Sequence, residues 1–431
     1  MMKEKYLINC RIVDPKNQID EMGGLIIDSK GLIKAVGKKV ANGNLPVSVD
    51  KIDLKKQILI PGLVDMRVFV GEPGYEYKEN FRTLSNAALS GGVTSVVSMP
   101  NTSPVIDNVS IVDFLKRRGR DKSRINIFPA ASLTKNTEGK QMTEFGLLKR
   151  KGIIAFTDGI RTVQDPQVMA RIMSFAGQSG SLIMQHAEDN ILSDGGLINE
   201  GEISTRLGLK GIPSLAEKII VERDLSILEE NFCRYHISQI SSKKTISVIK
   251  KAKEDGKIFS AGVSINNLSL NENDIGDFKT FLKLSPPLRT EEDRQALVKS
   301  VNDGTIDVIV SDHKPEDEES KRLTFSQAAT GASGIETLLP LALELVHNKS
   351  IKLNMLIAAL TCNPAKILGI NKGSLKKGYD ADICVFDINK PWVVTKNNLK
   401  SKSKNTPIEN RNLQGQIIKT FVKGELAYER I

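Results

Sequence analysis

The chain has 431 residues, 40% hydrophobic and 26% charged, the balance of a globular protein with a large core or more than one domain. Its formal charge is +10, but the bases are mostly Lys, spread along the chain, and only 5% of residues are aromatic. That texture argues against nucleic-acid binding, and the absence of any 18-residue apolar run argues against a membrane span. The densest basic run, KRRGRDKSR (116–124), reads as a solvated helix end followed by a loop. Cys10, Cys233, Cys362 and Cys384 show no CxxC spacing and fall near apolar residues, so they read as buried free thiols in a reducing compartment. No apolar segment of signal length follows Met1, and the expected location is the cytoplasm.

In chain order, residues 1–57 read as short strands and turns, too few for a large core of their own. A similar texture returns at GSLKKGYDADICVFDINKPWVV (373–394) and GQIIKTFVKGELAYER (415–430), with Trp392 as a hydrophobic anchor. The economical arrangement is a small β-sandwich domain built from residues 1–57 and 366–431, with a large domain, 58–365, inserted. KSKSKN (400–405) reads as a solvated loop.

The stretch ILIPGLVDMRVFVGEPG (58–74) opens the large domain as an apolar strand running into a Gly/Pro loop. Asp65 and Arg67 interrupt it two residues apart, on one face, where buried polar groups need partners. Further strand candidates are TSVVSMP (94–100), INIFPAA (125–131), GIIAFTD (152–158), SLIMQHAE (181–188), RYHISQIS (234–241), IFSAGVS (258–264) and DVIVSDH (307–313). Helical stretches alternate with them. The pattern is α/β and predicts a (β/α)8 barrel, with a doubly wound sheet as the other arrangement. Polar residues repeatedly end these strands: Asn101, Asp158, His186 with Glu188, Gln239, and Asp312 with His313. In a barrel all of them converge on the C-terminal mouth. The chain holds four histidines, His186, His236, His313 and His347. From chemistry alone a mononuclear metal site would use His186, Asp312 and either Asp158 or His313. His236 reads as a structural residue within its strand and His347 as a surface one.

The motifs PGLVDMRVFVGEPG, AALSGGVTSVVSMPNTSPVID, QHAED, GIPSLAE, VERDLSIL, PPLR, VSDHKPEDEESKRLTFSQAATGASGIETLLPL, TCNPAKILGI and GYDADICVFD run in order over nearly all of the chain. Together they resemble the dihydroorotases of class I, in the amidohydrolase superfamily. The resemblance implies a zinc (β/α)8 barrel with a small β-sandwich from both ends. It also implies reversible cyclisation of N-carbamoyl-L-aspartate to L-dihydroorotate in pyrimidine synthesis.

Residue by residue, the resemblance implies losses. Where the family has two zinc histidines on the first strand, this chain has Arg67 and Phe69, neither able to hold zinc. The family's substrate-binding arginine falls on Gly71, and its histidine after the sixth strand on Gln239. The bridging position falls on Gly159 in an ungapped match, or on Asp158 with a one-residue shift. A further histidine is replaced by Glu316, an anion unfavourable for a carboxylate substrate. Retained are Asn101, Asn266 and Asn267 as substrate contacts, His186, and the catalytic Asp312 in a vestigial or altered site. The expectation is a scaffold without its metal chemistry and with no cofactor. Arg67 is expected to pair with Asp312 or Asp158. This is similar to the inactive homologues that assemble with aspartate carbamoyltransferase, as a homo- or hetero-oligomer. The alternative is an active enzyme with an altered or mononuclear zinc site on His186, Asp312 and Asp158.

Overall fold

The computed structural model describes residues 3–41 and 50–430. Eight parallel strands form the barrel: Leu63–Val68, Val93–Ser98, Asn126–Pro129, Ala155–Phe156, Leu182–Gln185, Arg234–Ile237, Ser260–Ser264 and Val308–Val310. Two single bridges close the ring, Ala131 with Phe156 and Val68 with His313. Each strand is followed by a helix, from Phe81–Ser90 after the first to Leu338–His347 after the last. Side-chain caps start several of them, as where Asn80 and Thr83 form a reciprocal capping box. The strands lack clean alternation because both faces are covered. Leu63, Val68, Val93 and Val96 pack outward against helices. Val64, Met66, Val97, Met184 and Val310 fill the interior, joined by Ala365 and Leu368 of the helix Cys362–Leu368.

The run 58–70, read as one strand, is two. It breaks at Gly62, so that Ile58–Pro61 joins a different sheet. That sheet is continuous and eight-stranded, with Ile58–Pro61 between Lys5–Asp14 and Ile383–Val393. Strands from both chain ends therefore hydrogen-bond side by side. Its alternation is clean. Ile58, Ile60, Cys384 and Phe386 face the barrel, while Leu59, Ile383, Val385 and Phe421 build a separate small core. Asp382 links the two parts, since its carboxylate accepts from Asn126 Nδ2 at 2.8 Å on the third barrel strand.

Three smaller expectations are corrected. The segment 400–405 is only partly solvated: Lys400 and Lys402 are exposed, but Ser401, Ser403 and Asn405 are buried, and the buried carboxylates of Glu79 and Glu336 accept N–H and hydroxyl groups of Lys400 and Ser401. His347 is half-buried, with Nε2 3.1 Å from the Ile388 carbonyl. Cys362 is only partly buried, unlike the other three thiols. Trp392 does anchor its strand, donating from Nε1 to the Gly415 carbonyl at 3.0 Å.

Candidate active site

Arg67 stands at the end of the first barrel strand and is 2% exposed. Its Nε donates to Asp312 Oδ1 at 3.0 Å, and its Nη1 donates to the Gly159 carbonyl at 3.1 Å. The guanidinium also lies 5.4 Å from the Phe69 ring centroid. One cation thus ties together the mouth ends of strands one, four and eight. Asp65, its neighbour on the strand, is engaged elsewhere, accepting the backbone N–H of Arg67 at 3.2 Å and of Ser311 at 3.4 Å. Burial pushes the Asp65 carboxyl up to about 6.

Asp312 follows the eighth strand in a left-handed turn, φ +50°, which Asp tolerates better than most residues. Burial pushes its carboxyl up, while the Arg67 charge and the Gln239 amide hold it down. Asp158, the other expected partner of Arg67, is turned away. Its oxygens accept from Thr134 N at 3.0 Å and Thr134 Oγ1 at 2.5 Å, and burial pushes it up to about 6. Nothing in the sequence marked Thr134 for this role.

Gly159 settles how its position is used. With φ +68°, a Cβ added there would lie 1.6 Å from Asn101 Oδ1. Asn101 fills that space, donating to the Asp158 carbonyl at 3.1 Å and accepting from Ile160 N at 3.3 Å. It is locked into the loop by backbone partners. Gly71 likewise occupies a tight turn, φ +74°, where a Cβ would meet the Tyr75 and Glu79 carbonyls at 2.7 and 2.8 Å.

The side of the mouth built by strands five to seven is different. His186 Nε2 is 3.5 Å from Ser285 Oγ, and its Nδ1 has no partner. Burial first, then the Arg67 charge, pushes it down to about 3. Neither amide atom of Gln239 makes a well-formed hydrogen bond, although the side chain lies beside Asp312. Asn266 Nδ2 is also unpartnered, whereas Asn267 Nδ2 donates to the Pro287 carbonyl at 3.0 Å. His236 is structural, with Nδ1 2.8 Å from Ser260 Oγ, and burial pushes it to about 3. His313 belongs to the barrel closure: its Nδ1 accepts from Gly334 N at 3.2 Å and its Nε2 lies 3.5 Å from Glu79. Glu316 is not a bare anion, because Lys78 and Lys314 reach its two oxygens at 2.6 and 2.9 Å. Lys78 lies in the same loop as Gly71 and escaped notice in the sequence.

These donors do not fit a zinc ion as they stand. Arg67 occupies Asp312 Oδ1 and Thr134 both oxygens of Asp158, and of the two unpartnered histidine nitrogens His313 Nε2 faces Glu79 while His186 Nδ1 has no acid beside it in a hydrogen bond. A guanidinium against Asp312 also repels a dication at that point. Among the described residues no group of three or more His, Cys, Asp or Glu side chains converges to hold a metal ion.

An eight-stranded parallel barrel with a flanking sheet from both chain ends, and polar groups gathered at its C-terminal mouth, is the amidohydrolase architecture. The L-hydantoinase (dihydropyrimidinase) from Arthrobacter aurescens shares it with a TM-score of 0.89 at 22% identity, over 99% of this chain and 96% of that one. A family model described as Dihydro-orotase-like matches residues 56–245. A dihydroorotase of Syntrophus aciditrophicus (strain SB) is 42% identical over 419 residues, 97% of this chain and 98% of that protein. One from Ehrlichia canis (strain Jake) is 38% identical over 426 residues, 98% of this chain and 95% of that protein. The chain belongs to the dihydroorotase family.

Proposed function

We propose that this family member is a non-catalytic component of pyrimidine synthesis in the cytoplasm. In this reading it holds no zinc and works by assembling with aspartate carbamoyltransferase. One observation carries the reading. Arg67, where the family resemblance places a zinc histidine, sits 2% exposed with Nε 3.0 Å from Asp312. A guanidinium buried against the catalytic-position carboxylate neutralises it from within the chain and sets beside it a positive charge that repels a dication. The replacement of further ligand positions by Phe69 and Gln239 supports the same reading. Asn101 and Asn267 then line the mouth as structural amides rather than as substrate contacts, whereas Asn266 Nδ2 has no partner. The partner is inferred from the resemblance to inactive homologues.

The second reading is an active enzyme with a mononuclear site on His186, Asp312 and Asp158, favoured by the unpartnered Nδ1 of His186. Metal content and ring closure of N-carbamoyl-L-aspartate, measured on one untagged sample with and without added zinc, separate the two. The expected result is neither bound zinc nor dihydroorotate. Stoichiometric zinc with ring closure would overturn the proposal in favour of the second reading. Mixing with the aspartate carbamoyltransferase of the same genome is expected to give a stable co-eluting complex, and separate elution removes the assembly role.

A further inference from the structure

The basic run 116–124 takes no part in the barrel mouth. It ends the helix Val109–Lys122 and continues into the loop before the third barrel strand. The fold sets a second basic run, 149–151, beside it, at the end of the helix Phe145–Arg150. Lys116 Nζ donates to the Lys151 carbonyl, and Lys151 Nζ pairs with Asp113 at 2.8 Å. In a chain whose bases are mostly Lys, this face is rich in Arg: Arg117, Arg118, Arg120, Arg124 and Arg150. Arg118 reaches Glu72 at 2.6 Å and Arg120 reaches Asp121 at 3.0 Å. Arg117, Lys122, Arg124 and Arg150 are exposed, and among the described residues their side chains make no ion pair. Bases in the last turn of a helix answer its dipole, which accounts for Lys122 and Arg150. Arg117 sits before that turn and Arg124 beyond the helix end, so the dipole accounts for neither.

The charge of this face decides what fits it. A second copy would bring cations onto cations across a two-fold axis. A phosphate backbone carries one sign only, and Asp113 and Asp121, exposed among the bases, oppose it. A protein surface rich in Asp and Glu meets both requirements. Its carboxylates take the unpaired guanidiniums in bidentate pairs, and its own scattered bases take Asp113 and Asp121. Arginine is also the base that protein interfaces favour over lysine.

We infer that the face formed by 116–124 and 149–151 docks an acidic surface of a partner protein, held by Arg117, Arg124 and Arg150. This rests on the reading that the chain works by assembly, and adds where the partner sits and by what chemistry. The face lies outside the barrel, on the helices that follow strands two and three, so it is independent of the metal content of the mouth.

The test measures two affinities of the full chain: for the aspartate carbamoyltransferase of the same genome, and for a poly-L-glutamate peptide. Both are expected to bind, and to weaken about tenfold or more when NaCl is raised from about 50 to about 300 mM. Arg117→Glu, Arg124→Glu and Arg150→Glu together should weaken both about thirtyfold or more without lowering the melting temperature. If that variant melts lower, Arg117→Gln, Arg124→Gln and Arg150→Gln together are read instead, with about tenfold weakening expected. Lys244→Glu, Lys250→Glu and Lys251→Glu together make the same charge change on exposed lysines of the helix Lys243–Glu254, and should leave both affinities within about threefold. Equal weakening by the two charge-reversed variants overturns the inference, since the attraction would then belong to the charge of the whole chain. A transferase complex that the arginine variant leaves intact overturns it too, and keeps the assembly reading. So does tighter binding of a single-stranded RNA than of the peptide. Peptide bound at this face without a transferase complex removes the transferase as partner and supports the surface. Binding of neither overturns both.

Discussion

The two halves of the barrel mouth satisfy their polar groups in opposite ways. On the side of strands one, four and eight, the polar groups have partners within the chain. Arg67 is bonded to Asp312 and Gly159, Asp158 to Thr134, and Asn101 fills the space above Gly159. On the side of strands five to seven, His186, Gln239 and Asn266 keep buried polar atoms with no protein partner. The first side is closed by charge and the second is left with neutral groups. A buried carboxylate cannot stand unpaired, whereas an unpaired amide or imidazole nitrogen costs only about 1–3 kcal/mol.

The largest break in this contrast comes from Arg67→Met. It strands Asp312 in the interior and should lower unfolding free energy by about 3–5 kcal/mol in urea titrations. Adding Asp312→Asn should return most of that loss, since the two positions share one interaction. Equal losses in the single and double variants would mean that the ion pair is not what closes this side.

Gly159→Ala is the next step down. It forces a Cβ into φ +68° and against Asn101 Oδ1, and should cost about 1–3 kcal/mol. Part of this should return with Asn101→Gly, read from the same denaturation curves. A neutral outcome for Gly159→Ala would show that the loop moves aside freely.

The smallest effect belongs to the other side and appears with pH. His186 and His236 are held near 3 when folded, so below their ordinary value of about 6.5 only the unfolded chain takes up these protons. Their stability contribution is complete above 6.5 and is lost as pH falls toward 3. Asp65 and Asp158, raised to about 6, act oppositely: their contribution is present below 3.8 and lost as pH rises through 6. Between pH 7 and 5.5 the histidines should prevail by roughly 1 kcal/mol. His236→Asn should flatten that fall, and an unchanged slope would place the titrating groups elsewhere.

Much of this was legible in the sequence. The alternation of apolar strands and helices gave the barrel, and similar textures at both ends placed those ends together in one small β-domain. That Arg67, Phe69 and Gln239 stand where the family resemblance expects ligands was readable because a metal motif has fixed residue types at fixed spacing. The break at Gly62 was not readable, because a buried strand has the same composition on either side of it. The burial of Ser401, Ser403 and Asn405 was also hidden, since the segment resembles a surface loop until Glu79 and Glu336 are brought beside it.

By itself, then, the sequence determined the family, the barrel and the absence of histidine at 67, 69 and 239, all of which are matters of residue type and order. Only the tertiary structure decided where the leftover groups turn. Arg67 takes Asp312 and the Gly159 carbonyl because strands one, four and eight end within reach of one guanidinium, while Thr134 reaches Asp158 first. A buried charge takes the partner that folding brings within reach, and nearness between residues 245 positions apart is set by the closing of the barrel.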